Sequence, residues 1–168
     1  MIKIHYDWND LEKDINYLAL KVALSGWKPD YIVGISRGGC VPAVMLSHLL
    51  GVPMAPLRLS LDDLDNCVTD CGMAEDAYGY GQERAKNILI VDDINDTGAT
   101  FQWIMKDWPD SCLPEEPRWQ SVWHQNVKFL TLFNNASSDF SDVDFSAREI
   151  NKLEQDIWVR FPWENSRD

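Results

Sequence analysis

The stretch Ile88-Leu89-Ile90-Val91-Asp92-Asp93-Ile94-Asn95-Asp96-Thr97-Gly98-Ala99-Thr100 decides how this chain is read. Its four aliphatic residues are rich in β-branching and show no polar alternation, which suits a strand covered on both faces of a parallel sheet. The acids then fall at the carboxyl end of that strand, the edge where open α/β sheets bind ligands. Small and hydroxyl residues follow, just ahead of an apolar, helix-like segment over residues 97–106. Backbone N–H groups and the positive end of a helix would therefore face a bound anion. Acids beside an anion cradle point to a ligand that carries both hydroxyls and phosphate. Two plainer readings stand beside this one. The run from Asp93 also matches the first half of an EF-hand calcium loop, although the glutamate needed at position twelve falls on Ile104. It also reads as a structural acidic turn.

A chain of 168 residues, 45% hydrophobic and 25% charged, has the length and composition of one globular domain, residues 1–168. The 27 acidic and 15 basic residues give a net charge of −12, which argues against nucleic acid as a partner because phosphate contacts draw on Lys and Arg. No run approaches the length of a membrane span, and Met1-Ile2-Lys3-Ile4-His5-Tyr6-Asp7 lacks the basic-then-apolar order of a signal peptide. The expectation is a cytoplasmic protein without a membrane partner. Cys40, Cys67, Cys71 and Cys112 show no paired CxxC spacing and no clustered histidines, so reduced thiols are expected rather than a zinc site.

Upstream, Trp8, Leu11, Ile15, Leu18 and Val22 recur at helical steps, with Asp7 or Asn9 as cap and Gly26 as terminator. Tyr31-Ile32-Val33-Gly34-Ile35 reads as a second buried strand. It runs into Ser36-Arg37-Gly38-Gly39-Cys40 and a helix bracketed by Pro42 and Gly51. Consecutive glycines at a strand-to-helix junction let backbone N–H groups converge on a diphosphate. A tight turn that packs helix on strand is the alternative. Residues 54–60 read as a strand, and residues 61–83 as a polar lid-like loop without Lys or Arg. Residues 107–126, with Trp108, Trp119, Trp123 and three prolines, read as an irregular insertion whose tryptophans suit core or subunit contacts better than base stacking. Val127-Lys128-Phe129-Leu130-Thr131-Leu132-Phe133 is the next strand. His48 reads as a packed or surface residue of its helix.

The acidic strand followed by D-T-G-x-T resembles the signature of the type I phosphoribosyltransferases. The resemblance extends to Ser36-Arg37-Gly38-Gly39, which is similar to the pyrophosphate loop of the purine members. The tail Asp156-Ile157-Trp158-Val159-Arg160-Phe161-Pro162-Trp163-Glu164 is similar to the ending of xanthine-guanine phosphoribosyltransferases. It implies an α/β fold: a central, mostly parallel sheet flanked by helices, with a small carboxyl-terminal hood to which residues 134–168 contribute. It further implies transfer of a phosphoribosyl group from phosphoribosyl pyrophosphate (PRPP) to a purine such as guanine, xanthine or hypoxanthine, with Mg²⁺, in purine salvage and in a homodimer or homotetramer.

Carried over residue by residue, Asp92 and Asp93 would hold the ribose. Asp93, directly or through water, would be the principal magnesium carboxylate and Asp92 the lesser one. Asp96, Thr97, Gly98, Ala99 and Thr100 would hold the 5′-phosphate, with Asp96 also near the purine N7. Ser36, Arg37, Gly38 and Gly39 would hold pyrophosphate. Trp158 would stack on the base and the Val159 backbone would read its edge, although a tail that merely closes the core is the plainer reading of these residues. Three departures stand out. Asn134 and Asn135 occupy the place of the lysine that bonds the purine 6-oxo group, so Asn135 becomes the candidate base contact, able to donate but without charge. Ser60-Leu61 stands where Ser-Tyr is usual, and Ala99 replaces a glycine. They keep open a PRPP- or nucleotide-binding regulatory module without turnover, or a transferase for another base.

Overall fold

The computed structural model describes residues 1–62 and 67–164. The chain runs β1 (Ile2–His5), α1 (Trp8–Leu24), β2 (Tyr31–Ser36), α2 (Cys40–Leu50), β3 (Met54–Arg58), α3 (Cys71–Tyr78), β4 (Ile88–Asn95), α4 (Ala99–Cys112), a 3₁₀ turn (Pro117–Ser121), β5 (Val127–Asn135), β6 (Phe145–Ile150) and β7 (Ile157–Arg160). Five strands form one parallel sheet in the order β3-β2-β4-β5-β6. The chain moves outward from β2 to β3, then returns to place β4 on the other side of β2. That reversal makes the carboxyl ends of β2 and β4 the switch point at which a crevice opens.

The unbroken apolar run of β4 has its explanation in two cores. Leu89 and Val91 pack on one face with Leu11, Ile15, Leu18 and Leu46 of α1 and α2. Ile88 and Ile90 pack on the other with Ala74 and Ala77 of α3 and Phe101, Ile104 and Trp108 of α4. Alternate side chains thus all meet a helix layer. Helix α1 starts on a capping box, in which Asp7 accepts from the Asp10 N–H and Asp10 from the Asp7 N–H. Trp8, expected on its buried face, is instead exposed, because the helix begins at this residue and its ring lies beside Trp163.

Several expectations require correction. The acidic strand extends to Asn95, so Asp93, Ile94 and Asn95 are strand residues rather than part of a calcium-type loop. Helix α4 begins two residues later than expected and continues through Pro109 to Cys112, so the first part of the 107–126 segment is helical; its tryptophans join the core. Within residues 61–83, α3 buries Met73, Ala74 and Ala77, which confines a lid reading to the residues before it. Of those, residues 63–66 lie outside the described residues, as do residues 165–168 of the hood.

Residues 134–164, assigned above to the hood, contribute to both sheets. Strand β6 belongs to the main sheet, where Arg148 ties it to Asp10 and Asp14 of α1. Strand β7 instead pairs in parallel with β1, an amino-terminal strand that no apolar run announced. Among the described residues no helix is long and apolar enough to cross a membrane.

Candidate active site

The two loops singled out in the sequence meet at the switch point. Gly38 lies so close to β4 that a β-carbon there would coincide with the Asp93 carboxylate, so only glycine allows the loop to lie against that acid. The Ser36–Arg37 peptide bond preceding it is cis. On the far side of β4, Gly98 has φ +90° and leads into α4 without a side-chain cap, although the Thr97 hydroxyl accepts from the Ala99 N–H at 3.3 Å. A β-carbon at Gly98 would come within 2.8 Å of the Ser138 hydroxyl and also strike the Phe140 backbone.

Two cavities adjoin the acidic pair, Asp92 lining one of them and Asp93 both. The smaller, about 220 Å³, is lined by residues 92–101. The larger, about 900 Å³, is bounded by Arg37, Gly38, Ser60, Asp93, Trp163 and Glu164. Asp93 is a wall of both. Asp92 accepts the Asp93 N–H at 2.9 Å and Asp93 accepts the Ile94 N–H at 2.8 Å, which fixes both carboxylates with local bonds and leaves oxygen atoms for a ligand. Burial holds the Asp92 carboxyl well above the usual carboxylate range, and the Asp93 charge adds to the effect. Burial raises Asp93 as well, with Glu164 contributing repulsion.

Among the described residues no group of three or more His, Cys, Asp and Glu side chains is placed to hold a metal ion. Two adjacent carboxylates facing a polar cleft do fit a magnesium ion, which is held by one or two carboxylates together with waters and substrate phosphates.

Asp96 has a partner that sequence reasoning missed. Lys152, in the turn between β6 and β7, donates from Nζ to Asp96 Oδ2 at 2.7 Å. The two are 56 positions apart, so only the fold reveals the pair; the sequence hint is that Lys152 is the sole lysine after Lys128. Asn135, expected to touch a base, is buried and committed elsewhere. Its Nδ2 donates to the Asp96 carbonyl, while its Oδ1 accepts from Ser137 and from the Lys152 N–H. Asn95 performs a similar bracing role toward Asn134, Ser138 and Phe140.

Trp158 lies on β7 with 54% of its surface exposed, whereas Val159 is buried. The Asp156 and Arg160 carbonyls accept from the N–H groups of Ile2 in β1 and of Tyr6 just after it. By the alternation of strand backbone groups, the Val159 N–H and C=O therefore point away from β1. Trp163 stacks on Phe161 at 4.8 Å, and Glu164 accepts the Phe161 N–H, which closes the tail against the larger cavity. His48 is an exposed residue of α2.

Parallel strands, two glycine-bearing loops across the switch point and an acidic pair between two cavities define an α/β protein shaped for a phosphorylated sugar. The phosphoribosyl transferase domain family matches residues 3–168, and the chain belongs to that family. It is 27% identical to a xanthine-guanine phosphoribosyltransferase of Idiomarina loihiensis, over 94% of this chain and 84% of that protein. It is 26% identical to a hypoxanthine-guanine phosphoribosyltransferase of Schizosaccharomyces pombe, over 97% of this chain and 89% of that one. The crystal structure of a purine phosphoribosyltransferase from Pyrococcus horikoshii superposes with a TM-score of 0.69 at 26% identity, covering 100% of this chain and 98% of the other.

Proposed function

We propose that this enzyme transfers the phosphoribosyl group of PRPP to a purine base, giving a nucleoside monophosphate and pyrophosphate in cytoplasmic purine salvage. The observation that carries this reading is the position of Asp93, a common wall of the small cradle at residues 92–101 and of the larger cleft at Arg37 and Gly38. PRPP has the same order: a phosphate, then a sugar with two hydroxyls, then a diphosphate. The purine assignment draws support from the names of the relatives and from the exposed face of Trp158.

In this mechanism a purine ring nitrogen attacks C1 of PRPP. The N–C1 bond forms as the C1–O bond to pyrophosphate breaks, the configuration inverts, and the ring-nitrogen proton is lost. Asp92 and Asp93 accept hydrogen bonds from the 2′- and 3′-hydroxyls, and their charge stabilises the oxocarbenium character of the transition state. Thr97, Gly98, Ala99 and Thr100 hold the 5′-phosphate at the start of α4, and Ser36, Arg37, Gly38 and Gly39 hold the diphosphate. Asp93, and to a lesser extent Asp92, would hold a magnesium ion, which would supply charge neutralisation to the leaving group. Asp96 lies close to the purine and accepts its proton. Trp158 stacks on the base, a contact contributing about 1–3 kcal/mol at comparable sites, and the outward Val159 backbone reads its edge. The working unit is a homo-oligomer.

Pyrophosphate release tests the reading, with PRPP, Mg²⁺ and each of guanine, xanthine, hypoxanthine, adenine, uracil and orotate. Release with one or more purines is expected. PRPP binding without release from any base would instead indicate a regulatory module. Release with a pyrimidine alone would overturn the purine assignment and keep the transferase.

A further inference from the structure

We infer that the segment at residues 138–140, with Ser138 at its centre, is the positioning element of the phosphate cradle: it turns the peptide between Thr97 and Gly98 so that the Gly98 N–H is held out to the 5′-phosphate. This rests on the assignment of residues 97–100 to that phosphate in the reading above. The start of α4 has no side-chain cap on Gly98. A Ser, Thr, Asp or Asn in that place would occupy an N–H of the first turn; without one the turn keeps donors for a ligand but lacks a local fixture. The fixture comes from a remote loop. The Asp139 N–H donates to the Thr97 carbonyl at 3.1 Å, and the Gln102 side chain of α4 donates to the Asp139 carbonyl at 3.3 Å. In a planar trans peptide the N–H opposes the C=O, so a Thr97 carbonyl turned to Asp139 aims the Gly98 N–H the other way. That N–H has no acceptor among the described residues, and Gly98 lines the cavity of about 220 Å³.

The segment is fixed in turn by a buried polar network. The Ser138 hydroxyl donates to Asn95 Oδ1 at 3.2 Å and accepts the Phe140 N–H at 3.1 Å. Asn95, buried at the end of β4, donates from Nδ2 to the Phe140 carbonyl at 2.8 Å and to Asn134 Oδ1 at 2.9 Å. The same hydroxyl fills the space beside Gly98, where a β-carbon would lie 2.8 Å from it. A buried network whose members are all satisfied selects one arrangement of the loops that carry it. Here it joins the end of the acidic strand, the phosphate turn and the loop after β5. The Phe140 ring, edge-on to Phe101 at 5.3 Å, anchors the segment to α4 by apolar contact. What the hydroxyl and the amide add is direction: they register Asp139 against Thr97, and through that bond they set where the Gly98 N–H points.

Calorimetric titrations with ribose 5-phosphate and, separately, with pyrophosphate in the presence of Mg²⁺ test the inference on wild type, Ser138→Ala and Gln102→Ala. Ribose 5-phosphate probes the cradle at residues 97–100, and pyrophosphate probes the loop from Ser36 to Gly39. Ser138→Ala should weaken ribose 5-phosphate about 5- to 10-fold, part of the usual value of one hydrogen bond to a charged group, and leave pyrophosphate within about twofold. Gln102→Ala, at an exposed position of α4, should weaken ribose 5-phosphate about 2- to 3-fold with the same selectivity, and it carries the test if Ser138→Ala does not fold. In turnover, KM for PRPP should rise in parallel while KM for the purine stays within about twofold. Equal loss for both ligands, or no loss for ribose 5-phosphate in the folded variants, overturns the positioning role and leaves the transferase reading intact. A wild-type protein that binds pyrophosphate but not ribose 5-phosphate overturns the assignment of residues 97–100 to the phosphate, and the inference with it.

Discussion

At the scale of single residues, Asp92 carries a conflict between stability and function. Burial raises its pKa well above the ordinary carboxylate range, and Asp93 raises it further. A group whose folded pKa exceeds its unfolded value lets the folded state bind more protons. Its contribution to stability is complete below the unfolded pKa of about 4 and is lost as pH rises through the folded value. At neutral pH the unfolded chain ionises this group freely while the folded protein does so at a cost. Asp92→Asn keeps an acceptor for the Asp93 N–H and removes the charge. It should raise the melting temperature at about pH 7.5 and change it little at about pH 3.5, while weakening PRPP binding. Circular dichroism melts of both proteins at the two pH values check this. A variant that melts lower at pH 7.5 would show that the carboxylate contributes more to the fold than its desolvation costs.

At the scale of elements, α4 links the phosphate cradle at its start to an aromatic cluster near its end. Trp108 is fully buried, 6.1 Å from Trp123, which stacks in turn on Trp119 and Phe129. Trp108→Ala should cost about 3–5 kcal/mol in urea unfolding with KM for the purine unchanged, as expected of a core contact. Trp108→Phe should cost far less, since among the described residues the indole N–H has no hydrogen-bond partner to lose. A large rise in purine KM in either variant would bring the cluster into the base site.

What the sequence disclosed follows the same physics. Strands β2 and β4 were legible because helices cover both their faces, and α1 because Leu11, Ile15, Leu18 and Val22 keep one stripe. Strands β1 and β6 were not, since they lie at an edge or in the hood and mix polar with apolar residues. Helix α3 lay hidden in an acidic stretch, although the Asp70 cap and Gly79 at φ +80° bracket it. The end of α4 was obscured by Pro109, whose missing N–H costs one helical bond in the last turn while Trp108 beside it is buried. The loops at Gly38 and Gly98 could be placed from local residue types, whereas the Lys152–Asp96 pair depends on β6 returning beside β5.

At the scale of the whole molecule, a chain of net charge −12 is proposed to capture a strongly anionic substrate. At the switch point the groups that favour an anion are Arg37 on the larger cavity, beside Asp62, Asp93 and Glu164, and the start of α4 on the smaller. Most of the negative charge is spread over the remaining surface and repels the substrate from a distance. Those two contributions respond differently to salt. At an ionic strength of about 0.02 M the distant charges act across the approach path, whereas at about 0.2 M the screening length falls below about 10 Å and only groups at the cleft are felt. With free Mg²⁺ held constant, raising monovalent salt over this range should therefore lower KM for PRPP, with the on-rate rising accordingly. Stopped-flow binding and steady-state titration at matched free Mg²⁺ measure both. A KM that climbs with salt would mean that Arg37 and the backbone donors govern the encounter as well as the bound state, and that the global field is already neutralised before PRPP reaches the sheet edge.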